Sequence, residues 1–121
     1  MIRDLLTPEA HHDPYVWSAV LLAHALIGIG LTGLALPLIG PAAAWIVSAA
    51  YLLLWEGSQL RTARQRGGCW IIAMLDGLAD AVGVAMGCWM AVYLAAGEAL
   101  HFVTALAALL IVAVAGYWRR A

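Results

Sequence analysis

Four ionisable side chains, His24, Glu56, Asp76 and Asp80, stand in stretches of this chain that are otherwise almost wholly apolar. Asp76 and Asp80 are one helical turn apart, and Gly83 and Gly87 follow them in phase. At 3.6 residues per turn these four positions make one stripe, acidic at one end and small at the other. Carboxylates near the middle of a hydrocarbon slab cost roughly 2.5–3.5 kcal/mol each on insertion scales. They are kept only where a partner or water reaches them. Glu56 shares a helical face with Ser48, Leu52 and Gln59, and His24 leads a second stripe with Gly28 and Thr32. Two carboxylates brought close in a poor dielectric cannot both ionise cheaply, so one of them holds a proton and can pass it on as general acid or base. The candidate catalytic residues are therefore Glu56, Asp76, Asp80 and His24, the last as hydrogen-bond partner or proton carrier.

The elements that carry them follow from composition. Of 121 residues 65% are hydrophobic and 11% charged, against about 45–50% and 25% in soluble domains. The expected fold is all-α, a four-helix transmembrane bundle spanning residues 16–36, 42–60, 69–97 and 99–118. Residues 1–15 form an N-terminal cytoplasmic or interfacial segment, and residues 16–121 the four-span domain. Thr7 reads as an N-cap with Pro8 at the first helical position, and Pro14 starts a second helix or kinks the first. Pro37 to Pro41 read as a tight turn, and residues 61–68 as a basic loop ended by Gly67 and Gly68. Tyr15, Trp17, Tyr117 and Trp118 fit interfacial belts. The polar, acidic start argues against a cleaved signal peptide.

Neither cysteines nor histidines imply a cofactor. Cys69 and Cys88 lie roughly 28 Å apart along one helix and read as small apolar side chains. His11, His12 and Asp13 read as solvated groups at a membrane edge, so no metal is expected. Nothing points to nucleic acid.

Orientation rests on arginine. All six basic residues, Arg3, Arg61, Arg64, Arg66, Arg119 and Arg120, fall on the N-terminal segment, the second connector or the C-terminus. Four spans place these on one side, which makes both termini cytoplasmic. Counted from that side, His24, Glu56 and Asp76 lie at roughly 11, 7 and 10 Å, and Asp80 at roughly 16 Å. They form an acidic pocket at the cytoplasmic leaflet, with Gln59, Arg61, Arg64 and Arg66 as candidate ligand-binding residues at its rim. Arginines there hold a phosphate or an anionic head group. The alternative is interhelical glue, with His24 bonded to Glu56 and Asp76 capped by a neighbour.

Glu56-x-x-Gln59, a basic connector, then Asp76-x-x-x-Asp80-x-x-Gly83 in an apolar helix resembles the VanZ-like membrane proteins, with His24 matching the histidine of an earlier helix. The resemblance covers residues 24–87. Asp80 stands where that family has Asn, Trp55 replaces an acidic residue, and no Asp-Lys pair precedes His24. It implies a multi-pass protein of the bacterial inner membrane, in a family tied to low-level teicoplanin resistance, with Glu56, Gln59, Asp76, Asp80 and His24 as functional positions. It implies no particular reaction.

The expected function is to bind or modify a lipid-linked or amphiphilic cell-envelope substrate, with membrane lipids as partners. Two alternatives stand beside it. One is a non-catalytic accessory subunit of a larger membrane complex, or a homo-oligomer, joined through the Gly83/Gly87 face. The other is a phage-type, holin-like lysis protein.

Overall fold

Asp13 starts the first helix. Its carboxylate accepts the backbone N–H groups of Tyr15 at 2.8 Å and Val16 at 3.0 Å, and Pro14 takes the first helical position, where its missing N–H costs nothing. The computed structural model describes residues 13–67 and 70–121. Thr7, Pro8, His11, His12 and Cys69 lie outside them.

Four helices make up the described chain, with no strand among the described residues. Helix α1 is Pro14–Ile39. Helix α2, residues 42–65, runs unbroken through an α segment Ala42–Ala50, a π segment Tyr51–Glu56 and an α segment Gly57–Gln65. Helices α3 and α4 are Trp70–Ala96 and Ala99–Arg120.

Two connectors differ from the expected ones. Helix α1 continues through Pro37 to Ile39 and ends at Gly40, whose φ is 60°. Pro37 removes a single i→i−4 bond, and the remaining ladder carries the last turn. The expected basic loop is mostly helix: residues 61–65 continue α2, because no helix breaker occurs before Gly67, whose φ is 69°. The turn between α3 and α4 has the form expected at Gly97. Glu98 N–H donates to Tyr93 O at 2.9 Å and Gly97 N–H to Leu94 O at 3.2 Å, with φ of Gly97 at 72°. This is the Schellman arrangement.

Three stretches are long and apolar enough to cross a membrane: Pro14–Ile39, Ala73–Ala96 and Ala99–Arg119. Helix α2 falls short of the expected fourth. Its apolar run, residues 42–55, covers roughly 21 Å at 1.5 Å per residue before Glu56 interrupts it, against about 30 Å of hydrocarbon. Aromatic rings gather at both ends of the bundle. Tyr15 and Tyr117 meet edge to face at 5.0 Å, and Trp45, Trp89, Tyr93 and His101 form a chain of ring contacts at the other end. Leu34, Leu53, Leu54, Leu100 and Ile111 point outward, as side chains facing lipid do.

Helix α3 packs on all three others, and its largest interface is with α1. The two run parallel, backbone against backbone. A Cβ on Gly28 would run into the Val84 carbonyl, one on Gly87 into the Ala25 carbonyl, and one on Gly83 would stand 3.0 Å from Leu21 O. Lipid is as apolar as leucine, so close van der Waals contact of this kind has to hold membrane helices together. Helix α4 closes the other side: Trp17, Leu21 and Ala25 pack with Met90, Leu109 and Ala113, and Ser18 Oγ donates to Ala113 O at 3.3 Å.

Gly28→Leu and Gly87→Leu each destabilise the bundle by about 1–3 kcal/mol, as overpacked cores do. Gly30→Leu and Gly33→Leu, where a Cβ meets nothing within 4 Å, leave it unchanged. Thermal unfolding in detergent checks this, and equal midpoints for the two pairs would refute the packing.

Candidate functional site

His24, Glu56 and Asp80 come from α1, α2 and α3. A ring nitrogen of His24 and one carboxylate oxygen from each acid lie within 4.8 Å of one another. Glu56 and Asp80 are each 8% exposed.

The helix contacts set this convergence. The α1–α3 register puts Leu21 beside Gly83 and Ala25 beside Gly87. Residue 24 therefore lies by Asp80, with His24 Nδ1 3.4 Å from Asp80 Oδ1. The depth count from helix starts pairs His24 with Asp76 instead. It fails because α1 starts at Pro14, two residues before the expected boundary, and α3 at Trp70, one residue after it. Asp76 is half-buried and outside the three-residue cluster. His24 Nδ1 also lies 2.8 Å from the Val20 carbonyl. A carbonyl only accepts, so Nδ1 carries the hydrogen and the neutral ring keeps its lone pair on Nε2.

Glu56 owes its direction to the π segment. Gly57 N–H donates to Leu52 O, five residues back. In such a turn residues five apart share a face, so Tyr51 joins Glu56 inside while Leu52 points out, 40% exposed. The face expected from an α period, Ser48-Leu52-Glu56-Gln59, does not exist: Gln59 too is exposed. Tyr51 is the site residue that periodicity misses. Its ring stands edge to face with His24 at 5.6 Å, and its hydroxyl interacts with Glu56. Neither Tyr51 Oη nor Glu56 Oε1 completes a hydrogen bond. Gly77 of α3 makes the room: a Cβ there would fall 2.5 Å from Glu56 Oε2.

Next to Glu56 in sequence, Gly57 lines a half-open surface cavity of about 820 Å³ together with Leu60, Arg61, Arg64 and Gln65 of α2 and Trp70 of α3. Arg61 and Arg64, two of the expected rim residues, line this cavity, and none of His24, Glu56, Asp76 or Asp80 does. Gln59 and Arg66 are exposed and do not line it. Gly83 and Gly87 meet α1 of the same chain. Cys88 is a buried free thiol.

Against protein-family models, curated proteins and solved structures the chain has no match.

Tyr51→Phe removes a buried hydroxyl without a geometric partner, so it changes stability by less than about 1 kcal/mol. A loss of about 2 kcal/mol or more in detergent unfolding would mean that the hydroxyl bonds Glu56 firmly.

Proposed function

We propose that this multi-pass membrane protein binds an amphiphile with an anionic head group, of the lipid-linked cell-envelope kind, at the cytoplasmic leaflet of a bacterial inner membrane. The observation that carries this reading is the cavity between α2 and α3. It is a half-open groove of about 820 Å³, a size that admits a head group and the adjoining part of a chain. Arg61 and Arg64 offer guanidinium donors for a phosphate or carboxylate. Trp70 and Leu60 offer apolar surface for the adjoining chain or ring.

In this reading α2 crosses the membrane as a short fourth span, and both termini are cytoplasmic. The support is the grouping of all six arginines in the N-terminal segment, the second connector and the C-terminus. A reporter fused after Ala121 reads as cytoplasmic, and one inserted between Leu38 and Pro41 as external. A C-terminus on the external side would end the four-span arrangement.

Native mass spectrometry of the purified chain tests the ligand. Anionic lipid remains bound to the wild type, and Arg61→Gln/Arg64→Gln loses it. Each charge-assisted bond contributes about 1.5–3 kcal/mol, so affinity drops about tenfold or more for each. Equal retention by the double variant would remove the cavity as the binding site. Isolation of the chain only in stoichiometric complex with other subunits would favour the accessory role.

A further inference from the structure

We propose that His24, Glu56 and Asp80 form a binding site for a divalent first-row transition metal, with Zn2+ the ion their chemistry fits best. The donor set is one imidazole nitrogen and two carboxylate oxygens, one from each of three helices. Imidazole with carboxylate is a borderline set that takes Zn2+ and its first-row neighbours, whereas Mg2+ and Ca2+ prefer oxygen throughout. Three protein ligands with a fourth position open is the form of an exchangeable zinc site, not of a closed structural one.

Charge supports the same assignment. Two carboxylates on buried residues are expensive in an apolar surrounding. A dication cancels two negative charges, where one proton cancels one. Glu56 Oε1 is buried, completes no geometric hydrogen bond although the Tyr51 hydroxyl stands near it, and belongs to the cluster's own side chain. Around a tetrahedral metal with bonds of about 2.0–2.2 Å the ligand atoms stand about 3.3–3.6 Å apart. The present spread, within 4.8 Å, closes when the side chains draw together by about 1 Å. The Val20 carbonyl at 2.8 Å from His24 Nδ1 fixes the tautomer as the outer partner of a ligating imidazole does; since Nδ1 is also the nitrogen 3.4 Å from Asp80 Oδ1, a metal either displaces the Val20 contact or binds through Nε2. No local sequence spacing shows such a site, because each helix gives a single ligand. The proposal is independent of the amphiphile at the arginine cavity, and either can fail alone.

The test is calorimetric titration of Zn2+ into the full chain, purified in detergent through a tag that contains no histidine. The expected result is one saturable site per chain. Glu56→Gln and Asp80→Asn, near-isosteric and cheaper to bury than carboxylates, each lower Zn2+ affinity at least about tenfold while gel filtration shows the bundle intact. Gly77→Ala keeps every ligand but displaces the Glu56 carboxylate, and it weakens Zn2+ as well. Mg2+ at the same concentration does not compete. His11→Ala/His12→Ala, a change outside the described residues, leaves binding as it is. No saturable binding by the wild type would overturn the proposal. So would wild-type affinity in both carboxylate variants, or loss of the site in the His11/His12 variant, which would place the metal on the N-terminal histidines.

Discussion

The direct contact between the backbones of α1 and α3 governs the rest of this molecule. Where Gly28 faces the Val84 carbonyl and Gly87 the Ala25 carbonyl, no side chain separates the two helices. A contact that close has one register, since sliding by a residue sets a Cβ against a carbonyl. Position 24 on α1 is thereby fixed beside position 80 on α3. Trp17 is fixed at the other end of the same face, where its ring lies over Gly116 of α4. The polar cluster is thus a consequence of apolar packing: glycines decide which acid the histidine meets.

That cluster works against the stability of the bundle. Buried ionisable groups are expensive, and hydrogen bonds between membrane helices recover about 0.6–2 kcal/mol each. Glue would be better made from serine and threonine, as Ser18 makes it with the Ala113 carbonyl. Two acids, a histidine and a tyrosine at one point exceed what holding helices together requires. The π turn adds to this. Such turns interrupt the regular ladder and are found frequently at functional sites, and here the turn aims Glu56 inward and opens the space beside Gly77.

Much of the fold was legible because it rests on hydropathy and on strong local signals. The lengths of α3 and α4, the Gly97 turn and the three long apolar helices all follow from the residues themselves. The site was legible in kind but not in partnership. His24 and Glu56 stood out as polar groups in apolar runs, whereas the choice of Asp80 over Asp76 depended on helix register, which glycine contacts between distant segments decide. Tyr51 was hidden for another reason. Periodicity assumes 3.6 residues per turn throughout, and nothing in Tyr-Leu-Leu-Leu-Trp-Glu announces five-residue hydrogen bonding. The helical continuation through Pro37 and through Arg61–Gln65 was lost to the same habit of reading breakers and charges as ends.

The π turn bears on how α2 can vary in length. A wide turn holds one residue more than an α turn while the flanking segments keep their faces. Removing a single residue between Tyr51 and Glu56 therefore regularises the helix, with the tyrosine and the glutamate still side by side at a spacing of four. The same removal anywhere in α1 or α3 would rotate everything beyond it by about 100°, given 3.6 residues per turn, and would separate the glycine contacts. Homologous chains can accordingly differ by a one-residue gap at this point of α2 and keep the same interior, a gap that an alignment penalising breaks within helices would place wrongly.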